Sequence, residues 1–133
     1  MVQSLIAYAV TGLVFVALDF VWLSTIGQTV YRPAVQDVVI EGVRWAPAIA
    51  FYLIYVLGVV VLAVLPGVQA QSVLAAAGSA AMLGFMAYAT YDLTNMATLK
   101  TWPLHVALLD MAWGTCVTAV AAAAGGWAAM RFA

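Results

Sequence analysis

Charge is what this sequence has least of. Four Lys and Arg, five Asp and Glu and one His are spread over 133 residues, so charged side chains make up only 7% of the chain. A water-soluble domain of this length has too much surface to cover with so few charges, and lipid must supply most of its solvent. Cysteine is almost missing as well. Cys116 stands alone within an apolar run, which excludes a disulfide framework inside one chain. No basic cluster is present and the formal net charge is −1, so nucleic acid is not an expected partner. There is no Ser-His pair, no His-x-x-x-His and no Asp-x-x-Asp, so neither a metal nor a cofactor is expected. Met1-Val2-Gln3-Ser4 puts no Lys or Arg ahead of the first apolar run, and no small-x-small cleavage site follows it. That run reads as a retained span, not a cleaved signal.

What the chain has in place of charge is apolar length. It is 68% hydrophobic with a mean hydropathy of +1.12. Four segments stand out, at about 5–26, 46–65, 73–91 and 104–127, each close to the roughly 20 residues a helix needs to cross hydrocarbon. Pro47 falls in the first turn of the second, where a missing N–H costs nothing, and Pro66-Gly67 reads as its stop. The period-two alternation of a transmembrane barrel is absent. The expected fold is all-α: one domain over 1–133, a bundle of four transmembrane helices. Between the first two spans, Val35, Val38, Val39 and Val43 share a helical face opposite Gln36, Asp37, Glu41 and Arg44. This predicts a short amphipathic interfacial helix at about 33–44, with Tyr31 and Trp45 as interfacial anchors. Trp102 and Trp127 need no role beyond anchoring, and Tyr52 and Tyr55 fit as core or belt residues.

Arg32 and Arg44 lie in the first connection and Lys100 in the third, against Arg131 alone on the other side. The positive-inside rule then puts both polar connections in the cytoplasm and both termini outside. Ala77 with Ala81, Ala80 with Gly84, and the run around Gly114 supply the small faces on which helices pack closely in lipid.

Against this background the few polar residues inside spans carry the functional expectation. Asp19-x-x-Trp22 in the first span is echoed by Asp110-x-x-Trp113 in the fourth, each placing acid and indole one turn apart on one face. Counted from Gly27 and Pro103, both acids fall roughly 10–12 Å below the same boundary. An Asp at mid-span costs on the order of 2.5–3.5 kcal/mol, so two must face each other, a partner or water. Tyr91 through Pro103 is the most polar run, and it sets Asp92 and Asn95 at the mouth, with His105 a turn inside the fourth span. Asp92, at a helix C-terminus, needs a cation or donor, which Lys100, Arg32 or Arg44 would supply.

These residues also carry a resemblance. Leu18-Asp19-x-x-Trp22-Leu23, Tyr31-Arg32, Phe51-Tyr52-Leu53-x-Tyr55, the run Ala87-Tyr88-Ala89-Thr90-Tyr91-Asp92-Leu93-Thr94-Asn95, Leu99-x-x-Trp102-Pro103 and Asp110-x-x-Trp113-Gly114 together resemble a family of small bacterial membrane proteins, domain of unknown function 2177. The resemblance spans nearly the whole chain and implies a four-span integral membrane protein. It implies no activity, so it carries over no catalytic residues.

Three functions fit. The first is a pocket for a small molecule, lipid or proton, built from Asp19, Trp22, Asp92, Asn95, His105, Asp110 and Trp113, since carboxyls in a low-dielectric bundle exchange a proton for a cationic or polar ligand. A transporter this small would work as a homo-oligomer. The second is an accessory subunit of a larger membrane complex, its polar residues serving as glue between helices. The third is a lipid-modifying enzyme with His105 as base. It is disfavoured because positions 105 and 110 are off-face on one helix.

Overall fold

The computed structural model describes all 133 residues and contains helices, turns and no strands. Four helices are long and apolar enough to cross a membrane: α1 (Val2–Val35), α2 (Trp45–Gln69), α3 (Val73–Thr98) and α4 (Leu104–Phe132). Successive helices run antiparallel. The connections 36–44 and 99–103 therefore share one end of the bundle, and the turn at 70–72 lies at the other with both termini. At 34 residues α1 is about 50 Å long, so its last turns extend past a hydrocarbon slab of about 30 Å.

α4 is the hub. It packs most extensively on α3, then on α1, and touches α2 as well, while α1 and α3 scarcely meet. Small residues make this possible. Ala107, Gly114, Ala121, Ala122, Gly125, Gly126 and Ala129 of α4 are buried. α3 answers with Ala76, Ala80 and Gly84, and α1 with Ala7, Thr11 and Phe15, each set at four-residue spacing. With no hydrophobic force between helices in lipid, close van der Waals approach holds such a bundle together. At Gly84 a methyl group would sit 2.7 Å from Thr118 Oγ1. At Gly114 a methyl group would overlap the ring of Tyr88. The Ala80–Gly84 face is thus the one turned inward, whereas Ala77 and Ala81 are only half-buried.

Several helix ends differ from the sequence expectation. α1 does not stop at Ile26, and α2 does not stop at Pro66. Each passes through a π-helical turn, Gly27–Tyr31 and Val60–Val64. The last wide bond of each, from Arg32 N–H to Gly27 O and from Leu65 N–H to Val60 O, closes on the residue directly before a proline. In a regular α-helix the proline ring strikes the carbonyl four residues back and leaves it without a donor. A widened turn moves that carbonyl aside, so the helix continues through Pro33 and Pro66.

The separate interfacial helix at 33–44 does not form. Pro33–Val35 complete α1, and residues 36–44 are turns and bends. Three consecutive β-branched residues, Val38, Val39 and Ile40, followed by Gly42 at φ +75°, work against helix there. Val35 is buried, but Val39, Ile40 and Val43 are exposed.

α3 overruns its expected end at Tyr91 and carries the polar run to Thr98. Its threonines absorb their own polarity. Thr90, Thr94 and Thr98 donate to the carbonyls of Met86, Thr90 and Thr94, one turn back. At the other end of α3, Ser72 caps the helix by accepting the Ala75 N–H at 3.0 Å.

Candidate functional site

Each inward stripe ends in an acid. On α1 the series Ala7, Thr11, Phe15 finishes with Asp19. On α3 the series Ala76, Ala80, Gly84 leads on through Tyr88 to Asp92. On α4, Gly114 is preceded one turn earlier by Asp110. Four-residue spacing keeps each acid on the face its helix turns toward the bundle, so burial of all three follows from the packing that assembles the helices. Asp19 is 7% exposed, Asp110 9% and Asp92 not at all.

Their partners are aromatic donors, not cations. Asp19 accepts from the Tyr52 hydroxyl of α2 through Oδ2 and from Trp113 Nε1 of α4 through Oδ1, the latter at 3.1 Å. Trp113 in turn stacks on Trp22, with ring centroids 4.4 Å apart and planes 3° from parallel. Trp22 Nε1 donates to the Tyr31 hydroxyl at 3.0 Å. Asp92 Oδ1 accepts from Trp102 Nε1 at 3.2 Å, and Asp92 Oδ2 is buried with no partner. Asp92 and Asp110 adjoin one another, and the Tyr31 hydroxyl lies beside Asp110. Arg32, the cation closest in sequence to Tyr31, donates to the Ile40 carbonyl of the connection.

The acids therefore do not share one depth. α1 and α4 are antiparallel and their tryptophans are level, so Asp19 lies three residues to one side of that level and Asp110 three to the other. The offset is about 9 Å along the bundle. Asp110 pairs in depth with Asp92, and Asp19 stands alone below them. The equal-depth expectation counted from Gly27 as the end of the first helix, which in fact continues to Val35.

Between these acids lies a cavity of about 350 Å³ in the half of the bundle nearer the polar connections. Asp19 and Asp110 line it, with Tyr31, Phe51, Tyr52, Tyr88, Tyr91 and Trp102 supplying aromatic walls and Leu23, Ala87 and Val106 the remainder. Tyr88 is held by its contact with Gly114, and Trp102 by its bond to Asp92 and an edge-on contact with Tyr91 at 5.5 Å. Under the cavity Phe15, Tyr52 and Tyr55 pack edge to face, and the Tyr55 hydroxyl meets Thr118 Oγ1 at 2.8 Å. Trp102 belongs to the 99–103 connection, which is tied to the other polar connection by Thr101 Oγ1 donating to Asp37 Oδ2 at 2.6 Å.

Of the seven residues expected from sequence, Asp19 and Asp110 face the cavity. Asp92 is sealed behind Trp102, and Trp22 and Trp113 brace Asp19 and Tyr31 from outside the lining. Asn95 lies half-buried beside Tyr91, outside the cavity. His105 is exposed on the far side of α4, while its neighbours Val106 and Ala107 turn inward. Five residues place it well over a quarter-turn from Asp110, so the helix itself keeps the two apart. Asp92 is not at a helix end, and its donor is an indole instead of Lys100, Arg32 or Arg44.

Sequence reasoning missed the phenols and Trp102, having assigned Tyr31 and Trp102 to interfacial anchoring and Tyr52 to the core or belt. A signal existed. Tyr52 and Tyr55 on α2 and Tyr88 and Tyr91 on α3 repeat at three-residue spacing, and a hydroxyl inside hydrocarbon requires a partner. As a metal site the arrangement is thin: no three His, Cys, Asp or Glu side chains converge anywhere in the bundle. Its chemistry is that of a desolvated carboxyl pair plus one bonded carboxylate among π faces.

Neither the curated proteins nor the solved structures contain a match to this chain. The family model described as predicted membrane protein, domain of unknown function 2177, matches residues 4–127, nearly the whole bundle, and the chain belongs to that family.

Proposed function

We infer that this protein is a membrane-embedded binding module for a small molecule, with the aromatic and acidic cavity between α1, α2, α3 and α4 as its site. One observation carries the inference. A cavity of about 350 Å³ remains open beside Asp110, although α3 and α4 touch backbone to backbone nearby at Gly84 and Gly114. Glue between helices needs no such space. A polar group that served packing alone would be closed over by the small residues around it, as Thr118 is. The volume lies within the range of small-ligand sites, and its mostly apolar walls with a few convergent polar groups are the usual composition of one.

In this reading Asp19 and Asp110 contact the ligand, Tyr31, Tyr52, Tyr88 and Tyr91 form the walls, and Asp92, Trp22 and Trp113 position them. The bundle sits in a bacterial inner membrane with the 36–44 and 99–103 connections cytoplasmic, on the strength of Arg32, Arg44 and Lys100 against Arg131. Passage of the ligand across the bilayer, as opposed to its capture, calls for a second copy or a partner subunit, because one bundle of four helices offers no second path.

The accessory-subunit reading has its own support, since the bonds of Asp19 and Asp92 join different elements and would serve assembly equally well. Native mass spectrometry of protein extracted gently from its own membranes separates the two. A small molecule retained by the wild type and lost from Asp110→Asn is the result expected of a binding module. A stoichiometric complex with other polypeptides and an empty cavity is the result expected of an accessory subunit.

A further inference from the structure

The geometry points to an organic monocation with an apolar body, a primary ammonium or a quaternary ammonium, as the ligand class of this cavity, a step that rests on the binding reading above. Two carboxyl groups line the space and a third adjoins one of them, yet no Lys, Arg or His side chain reaches the lining. An anionic ligand would meet only repulsion and no donor strong enough to offset it. A neutral apolar ligand would fill the volume and offer the Asp110 carboxyl no polar partner. A divalent ion would find only the two lining carboxyls, too few oxygens for calcium, and apolar walls where magnesium keeps its waters.

A monocation answers both halves of the lining. Its charge would meet the Asp110 carboxyl, which has the Tyr31 hydroxyl and the Asp92 carboxyl beside it. Asp92 contributes further, because it adjoins Asp110 and its Oδ2 is fully buried with no donor from any other element, so a cation at Asp110 would satisfy that end of the cavity where otherwise the two carboxyls must share a proton. The body of the ligand meets Phe51, Tyr52, Tyr88 and Tyr91, whose π systems attract a cation and accept its methyl or methylene groups. Asp19 differs from Asp110 in being already bonded by Tyr52 and Trp113. Asp110 is therefore the acid that meets the charge, and Asp19 sets the field of the deeper half.

The test uses the full chain in nanodiscs of phosphatidylglycerol, titrated with benzyltrimethylammonium, with its uncharged carbon analogue neopentylbenzene, and with benzenesulfonate. Tryptophan emission, to which Trp102 in the lining contributes, reports occupancy, and its response to ligand is lost in Trp102→Phe. Saturable binding of the cation alone is expected, weakened about tenfold or more in Asp110→Asn, as the loss of a close charge in a low-dielectric site implies. Equal binding of neopentylbenzene would overturn the cation assignment and leave the cavity reading standing. Equal affinity for the cation in wild type and Asp110→Asn would also overturn it. Saturable binding of no probe, with no molecule retained from native membranes, would overturn both. Should Asp110→Asn fail to fold, the comparison of cation with analogue on the wild type decides alone. Repeating the titration in phosphatidylethanolamine identifies the source. Competition by that lipid points to a headgroup ammonium, and an unchanged affinity points to a free amine.

Discussion

The indole of Trp113 lies flat on that of Trp22, and its N–H reaches across to Asp19, three residues earlier on Trp22's own helix. The two Asp-x-x-Trp motifs thus meet at their tryptophans. They are not used alike. Trp113 serves the acid of the other motif, while Trp22 serves Tyr31, a hydroxyl that the π-helical turn of α1 brings to the cavity.

This asymmetry predicts unequal costs. Trp113→Phe keeps an aromatic ring in the stack but removes a donor from a buried carboxyl, and is expected to destabilise by about 1–3 kcal/mol. Trp22→Phe removes a bond between two neutral groups and is expected to cost about 0.5–1.5 kcal/mol. Reversible unfolding in mixed micelles gives both values. Equal losses would show that the Asp19 bond has no special weight.

Asp92 and Trp102 form a pair whose members depend on each other. Trp102→Phe leaves Asp92 with no donor, and Asp92→Leu leaves an indole N–H unpaired. Each single change is expected to cost about 1–3 kcal/mol, the scale for a stranded buried polar group. The double change should cost clearly less than their sum, with a coupling of at least about 0.5 kcal/mol. Strict additivity in the same unfolding assay would mean that the two do not interact.

The glycines divide into two groups. Gly114→Ala must displace the Tyr88 ring and Gly84→Ala must separate α3 from α4, so each is expected to lose about 1–3 kcal/mol by overpacking. Gly58→Ala and Gly78→Ala meet nothing within 4 Å and should be neutral or gain up to about 1 kcal/mol in helix propensity. Thermal melts of the four variants in one detergent test the contrast.

Sidedness is open to direct labelling. In a Cys116→Ala background, single cysteines at Asp37 and Lys100 should react with an impermeant thiol reagent from the same side of the membrane, and one at Gln71 from the other. The helix order requires the first part of this result, and the distribution of cations predicts that the shared side is cytoplasmic. Asp37 and Lys100 labelled from opposite sides would contradict the fold itself.

His105→Ala is expected to leave both stability and probe binding unchanged, within about 0.5 kcal/mol for an exposed position away from the cavity. A marked loss of binding would place His105 in the site and require a different packing of α4.

Apolar length alone made the four helices legible, because nothing else satisfies every backbone group in lipid. The inward direction of Asp19 and Asp110 was legible too, from the cost of exposing them. What escaped was whatever depended on helix phase across a proline. Pro66-Gly67 looked like a stop and Pro33 like a start, and nothing local to either announces the widened turn that carries the helix through. The misplaced depth of Asp19 and the assignment of Tyr31 to the interface both follow from that one gap. The face pattern of residues 36–44 was real, but a few turns of helix do not form on pattern alone against β-branched residues and a glycine.

Each π turn holds one more residue than the α turn it replaces. A one-residue deletion within 27–31 or 60–64 can thus be taken up by tightening the turn, leaving both flanking stretches facing as before, at the cost of setting the ring of Pro33 or Pro66 against the carbonyl four residues back. Anywhere else in the bundle the same deletion would rotate everything beyond it by about 100° and carry half a stripe of small residues away from α4. The first two helices therefore each have one place where chain length is adjustable, and α3 and α4, which form the closest backbone contact, have none.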